Sequence, residues 1–190
     1  MDVATAIRQR RSIRQFQQRP VDVELLIEMV SLARLHTSAG NRQPIRYAII
    51  VAHMRDVVFS HLRWAAYLPE YKVLPDKRPG AYILILANQE AGRYSLFEAG
   101  AAATNLMLAA QEMGLSSCCL GIANQRELCQ SLMLPEKQEI IAAIAIGYPA
   151  CNSRIVPFID SVRYYQDDNG DFCVPKLDAK ELIIYSDMSK

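Results

Sequence analysis

The chain has 190 residues and a mass of 21.4 kDa; 51% of it is hydrophobic, 22% is charged, and the formal net charge is +1. A chain of this length buries roughly 70% of its unfolded surface, enough for a core that needs neither disulfide nor metal staples. Its charge balance excludes a dedicated nucleic-acid binder or a basic membrane-surface protein. The five cysteines are odd in number and form no Cys-x-x-Cys pair or ligand cluster, and Cys118 and Cys119 adjoin in an apolar run, so they read as reduced, buried thiols. The first residues lack an apolar leader core and no apolar run nears the roughly 20 residues of a membrane helix, so the expectation is a cytoplasmic protein without a span.

Helical and strand-like periodicities interleave without a Ser/Gly-rich linker, which predicts one unit over residues 1–190 of α/β or α+β class. Residues 3–10 predict a short helix ending near the Arg10-Arg11-Ser12 turn. After Pro20, Asp22 is a candidate N-cap and Val21 with Leu26 a candidate hydrophobic staple. The helix they open carries Leu25, Leu26, Met29, Val30 and Ala33 on one face and is expected to stop near His36, before a loop over 37–41. Residues 47–52 predict a buried strand, 56–67 a helix, 69–79 a proline-interrupted loop and 81–87 a second buried strand. The stretch 95–113 is apolar or small around nearly its whole circumference and ends at Gly114, a good residue to follow a helix. It predicts a central helix buried on all sides that also meets a second subunit. Then come a strand over 117–122, a helix capped by Asn124 and running to about Met133, and a strand over 139–147. The polar tail holds one more hydrophobic stretch, 182–185, and either wraps a partner or adds an edge strand and helix.

The near-neutral total hides an uneven distribution. All ten basic residues before residue 64 are arginines, and Arg8, Arg10, Arg11, Arg14 and Arg19 face a single acid, Asp2, within the first twenty residues. A planar guanidinium suits bidentate contact with phosphate and never titrates away. Arg10-Arg11-Ser12-Ile13-Arg14 is therefore a candidate site for one phosphomonoester, with a solvated basic face as the alternative reading. Neither nucleotide-cradling glycine motif is present. His36, His53 and His61 form no convincing Ser-His-Asp arrangement. Ser38, Asn41 and Gln43 make a polar loop ending at Pro44, which reads as turn chemistry or as hydrogen-bonding groups for a ring system. Trp64, Tyr67 and Tyr71 read as packing or as an aromatic wall over a pocket.

Taken together, these segments resemble the nitroreductase-like family of FMN-dependent oxidoreductases over most of the chain. The resemblance rests on Arg10-Arg11-Ser12-Ile13-Arg14-x-Phe16, on the loop from Thr37 to Pro44, on Glu98-Ala99-Gly100 and Asn105-Leu106 of the long helix, on the stretch from Gly114 to Gly121, and on Arg154 after Gly147-Tyr148-Pro149. It implies an α+β fold with a central, mostly antiparallel sheet flanked by helices, in an intertwined homodimer whose 151–190 segment can wrap the partner. It implies FMN at the subunit interface: Arg10, Arg11, Ser12 and Arg14 toward the phosphate and ribityl chain, Arg154 closing on the phosphate, and the partner's Thr37, Ser38, Ala39 and Asn41 along the ring. Leu120 and Gly121 would offer main-chain N–H groups to the ring. NADH or NADPH would be the electron donor in a ping-pong reaction with a nitroaromatic, quinone or related small-molecule acceptor, with no protein side chain as obligatory acid or base and no metal. An FMN carrier or sensor with little turnover is the alternative. The sequence departs from the family pattern at Thr37, Ile45, Leu120, Asn152 and Ser153, and the short 69–79 loop leaves little room for a helical roof over the pocket.

Overall fold

The computed structural model describes residues 1–184. The core is a four-stranded antiparallel sheet in the order β1-β2-β4-β3, formed by Ile45–Ile50, Ala81–Asn88, Gln138–Gly147 and Ser116–Leu120 as β1, β2, β4 and β3. The central strand β2 is buried along nearly its whole length, and its alternating side chains feed two separate cores. Ala81, Ile83, Ile85 and Ala87 pack on one face, against helices α2 (Val23–Ala33) and α4 (Tyr94–Glu112). Tyr82, Leu84 and Leu86 pack on the other, with Val58 of α3 (Met54–Ser60), Leu128 of α5 (Gln125–Ser131) and the N-terminal Ile13 and Phe16. A strand covered on both faces has no polar side to alternate with, which is why 81–87 reads as an unbroken apolar run.

Several predicted boundaries move. Helix α1 is Val3–Gln9, and α4 begins and ends one residue before the predicted limits, with Gly114 at φ 71° as the left-handed residue after it. Asp22 holds the N-cap position of α2 without a side-chain cap bond, whereas Val21 and Leu26 are both buried in the same core. Asn124 does cap α5, its side chain accepting from the Glu127 N–H. Helix α3 stops at Ser60, seven residues early: Ser60 Oγ and His61 Nδ1 both turn back to the Val57 carbonyl, and the chain reverses at Ala65 with φ 44°. Leu62 then bridges to Ile122. Nor is α4 buried all round. Its Ala99, Ala102, Leu106 and Ala110 face the core, but Leu96 and Phe97 stand 63% and 69% exposed on the opposite side with Gly100 and Thr104.

The segment from Ser12 to Gln17 is laid along the protein by main-chain bonds. Ile13 N–H donates to Ser117 O at 3.0 Å, Phe16 N–H to Lys77 O at 2.9 Å and Gln17 N–H to Tyr148 O at 2.9 Å. Phe16, fully buried, closes against Gly147, where the backbone approach leaves no room for a larger residue. Beyond Pro149 the chain builds a second, three-stranded sheet in the order β5-β7-β6, from Ser153–Pro157 (β5), Tyr165–Gln166 (β6) and Phe172–Lys176 (β7). Strands β5 and β7 are parallel, and β6 is antiparallel to β7. Phe172 and Cys173 are completely buried, so this sheet docks on its own chain. A final turn, α6 (Ala179–Leu182), carries a capping box at Asp178 and Glu181. Ile183 and Ile184 are exposed, and residue 185 of the predicted 182–185 stretch lies outside the described residues. No helix among the described residues is long and apolar enough to cross a membrane.

Candidate functional site

The N-terminal arginines converge. Arg10, Arg11, Ser12 and Arg14 line one cavity of about 260 Å³, closed on the far side by Ile155, Val174 and Lys176 of the C-terminal sheet and by Tyr164 just before β6. Four cations and no acid border this space. None of the four makes an ion pair among the described residues. Arg11 donates to the carbonyls of Arg8 and Arg10, which fixes its guanidinium beside the end of α1. Burial, and then the neighbouring Arg10 charge, lower its pKa below the ordinary arginine value; a guanidinium starts high enough to remain charged at neutral pH.

Arg14 is the most enclosed of the set, only 9% exposed. Its guanidinium carbon lies 4.6 Å from the centre of the Tyr164 ring and 4.8 Å from that of Phe172, so two aromatic faces replace part of the water it has lost. Tyr71 meets Phe172 edge-on at 5.3 Å, and Tyr67 packs on Tyr164 at 5.1 Å. These tyrosines therefore belong to the layer that holds Arg14, whereas Trp64 packs against Phe59. The Arg14 Nε is buried without a hydrogen-bond partner, as is Ser117 Oγ on the adjoining strand. Unpaired cations around a small cavity and an orphaned guanidinium donor fit an anionic ligand with several oxygens, and a phosphate monoester has that chemistry. The volume lies below the roughly 300–1,000 Å³ of a complete small-ligand pocket. It suits the phosphate end of a flavin nucleotide, with the ring resting elsewhere.

Arg154 is not among the residues that line this cavity. In the parallel β5–β7 pair it stands opposite Cys173, while Ile155 and Val174 occupy the other face. Its guanidinium instead pairs with Asp167 at 2.9 Å. Asp167 is itself anchored, its other oxygen accepting from the Asn169 and Asp171 N–H groups at 3.0 Å each. The Arg154 hydrogen bond is the main reason the Asp167 carboxyl is held below its usual pKa. Lys176, two residues beyond Val174 on the same face of β7, is the C-terminal cation that borders the cavity. Neither Lys176 nor Tyr164 was marked by any motif; the register of β7 brings Lys176 there, and Tyr164 arrives on the residue that precedes β6.

Strand β3 is an edge of the main sheet. Ser117 turns its carbonyl outward to Ile13 N–H, and Gly121 turns its carbonyl outward to Arg63 N–H at 3.1 Å. Alternation along the strand puts the main-chain groups of Cys119 on this same outer side and those of Leu120 toward β4. Cys119 is exposed, a correction to the expectation of uniformly buried thiols, while Cys118 is buried and its pKa is pushed up to about 11 by burial.

The loop over 37–41 does not join the arginine cavity within one chain. Thr37 and Ala39 line a different one, of about 400 Å³, with Arg93, Tyr94, Phe97 and Glu98. Gly40, Asn41 and Gln43 all have positive φ, at 59°, 52° and 49°. The loop is held by side chains. Ser38 Oγ accepts from Gln43 N–H at 2.8 Å, Gln43 Nε2 donates to Asn41 Oδ1 at 3.0 Å, and Glu98 Oε1 accepts from Ala39 N–H at 2.9 Å. Glu98 is 2% exposed and its second oxygen has no partner. Among the described residues no three His, Cys, Asp or Glu side chains cluster as a metal site would require.

An α+β sheet protein with an arginine-lined cavity is the class that fold and site define together. The family model described as the nitroreductase family matches residues 7–148, and the chain belongs to that family. A protein of Archaeoglobus fulgidus with the provisional name NADH dehydrogenase/NAD(P)H nitroreductase is 28% identical over 148 residues, covering 74% of this chain and 81% of the relative. A nitroreductase family protein from Clostridium difficile 630 superimposes with a TM-score of 0.71 at 20% identity, covering 98% of this chain and 99% of that one. A provisionally named nitroreductase of Desulfovibrio desulfuricans, solved in complex with FMN, is 31% identical with a TM-score of 0.66, covering 79% and 87% of the two chains. The family match ends at Tyr148, so Tyr164 and Lys176 both lie beyond it.

Proposed function

We propose that the protein is an FMN-dependent oxidoreductase that takes electrons from NADH or NADPH and passes them to a nitroaromatic, quinone or related acceptor in a ping-pong cycle. The observation that carries this reading is the acid-free cavity bordered by Arg10, Arg11, Arg14 and Lys176, whose size and charge suit one phosphate monoester. The family membership, the FMN of the Desulfovibrio relative and the NAD(P)H in the name of the Archaeoglobus relative point the same way. Bound FMN would supply the redox chemistry itself. Arg10, Arg11, Ser12 and Arg14 would bind its phosphate and ribityl chain. Ser117 O fixes Ile13 N–H, so the cationic segment meets its ligand already ordered. On the outer edge of β3 the Gly121 N–H would be offered to the ring, whereas the Leu120 main-chain groups turn to β4.

In this reading the functional unit is a homodimer, because Thr37 and Ala39 line a separate cavity, and the loop that also carries Ser38 and Asn41 would reach a flavin from a second copy. The exposed apolar side of α4, with Leu96 and Phe97, together with Val3 and Ile7 of α1, suits burial against such a copy. The five free cysteines suit a reducing, cytoplasmic setting.

The test is an absorption spectrum of the purified protein with added FMN, before and after anaerobic NADH or NADPH. A flavin spectrum that bleaches with reductant is expected, and Arg10→Ala with Arg14→Ala is expected to abolish flavin retention. Protein that takes up no FMN, or a double variant that binds it unchanged, refutes the proposal.

A further inference from the structure

We infer that Lys176, and not Arg154, is the C-terminal cation that grips the phosphate of the cofactor, and that the sheet formed by residues 153–176 roofs the phosphate end of the pocket in the same chain. The inference rests on the flavin reading above. It goes beyond it by assigning a binding residue outside the segment that the family model matches.

The argument is one of strand faces. Strand β7 places Val174 and Lys176 on one side and Cys173 on the other; the parallel register aligns Ile155 with Val174 and Arg154 with Cys173. Ile155, Val174 and Lys176 border the arginine cavity. Arg154, Cys173 and Asp167 form a separate polar cluster in which Cys173 Sγ lies 3.8 Å from Asp167 Oδ2 and Arg154 Nη2 lies 2.9 Å from the same oxygen. For Arg154 to enter the cavity it would have to leave an anchored carboxylate and pass to the other face of the sheet. Lys176 needs neither step, since its side chain is exposed and makes no ion pair or hydrogen bond among the described residues.

The roof is held from below. Tyr164 both borders the cavity and stacks on Arg14, while the fully buried Phe172 closes Arg14 from a second direction. Where the short 69–79 loop leaves little room for a helical roof, the C-terminal segment would cover the phosphate end instead.

The test titrates FMN and riboflavin into the wild-type protein, Lys176→Met and Arg154→Met, following flavin fluorescence. Lys176 is exposed at the end of its strand, so its replacement leaves the fold intact, which a thermal melt checks. Removing one charge-assisted phosphate contact is expected to weaken FMN about tenfold to a hundredfold. Riboflavin, which has no phosphate, is expected to bind Lys176→Met as it binds the wild type, and Arg154→Met is expected to weaken FMN less than threefold. Wild-type protein that binds no FMN refutes the flavin reading itself. Wild-type protein that binds FMN overturns this inference alone if Lys176→Met leaves FMN affinity unchanged, if FMN and riboflavin weaken together, or if Arg154→Met gives the larger loss.

Discussion

Replacing Glu98 by alanine removes the acceptor that holds the 37–43 loop in its left-handed geometry. Glu98 Oε1 takes the Ala39 N–H at 2.9 Å from a side chain only 2% exposed. A hydrogen bond to a carboxylate contributes about 1.5–3 kcal/mol, so its loss is expected to speed hydrogen exchange of the Ala39 amide about ten- to a hundredfold. The global effect is expected to be much smaller. Glu98 Oε2 is buried without a partner, an arrangement that itself costs about 1–3 kcal/mol, and truncation relieves that cost while it breaks the bond. The two contributions nearly cancel, so the thermal midpoint is expected to stay within about 4 °C for a chain of this size. Glu98→Gln keeps an acceptor for Ala39 and is expected to restore slow exchange. Amide-resolved exchange by NMR or mass spectrometry reads all of this. Unchanged Ala39 exchange in Glu98→Ala, or a glutamine variant as fast as the alanine one, would refute the latch.

Three further outcomes are expected. Burial raises the Tyr47 pKa to about 12, whereas the unfolded value is near 10, so the unfolded state loses its proton first and stability falls as pH rises from about 10 to about 12; Tyr47→Phe, which removes a hydroxyl with no hydrogen-bond partner, should flatten that slope in denaturation curves taken across this range. At Gly147 an added Cβ would sit 2.9 Å from Phe16 Cδ1 and 3.2 Å from Gly80 N, so Gly147→Ala should cost about 1–3 kcal/mol by urea denaturation, and an unaltered midpoint would contradict the close approach. Phe97→Asp places a charge on the exposed apolar side of α4, and sedimentation should detect a shift from dimer to monomer without loss of the folded core.

Much of the sheet and its longest helix was legible because the local pattern and the tertiary role agree. The apolar run 81–87 could only be a strand covered on both faces, and the small-residue stretch before Gly114 had both its period and its stop. The arginine cluster was legible as charge, and its convergence on one cavity follows from the bonds of Ile13 and Phe16 that lay the segment against the sheet. Helix α3 ran short because Ser60 and His61 compete for the Val57 carbonyl and Ala65 turns the chain with neither glycine nor proline to mark the place. The exposed side of α4 was misread because alanine, leucine and phenylalanine look alike in a periodic count whether they meet the core or the surface. The C-terminal sheet was missed because its strands span two to five residues, with Pro157 and Pro175 inside them. Without those strands the choice between Arg154 and Lys176 could not be made, since one residue of register decides which face a side chain occupies.

The clasp on Arg14 joins the beginning of the chain to its end. Tyr164 and Phe172 lie more than 140 residues away from Arg14 in sequence, yet they supply the two rings that shelter it. Thermodynamic linkage makes such a joint reciprocal: a ligand that steadies Arg14 in its sheltered position tightens the tail by the same free energy that the docked tail contributes to the ligand's binding. Filling the cavity is therefore expected to slow proteolysis at the exposed stretch around Ile159 and Val162, which limited digestion with and without FMN would measure.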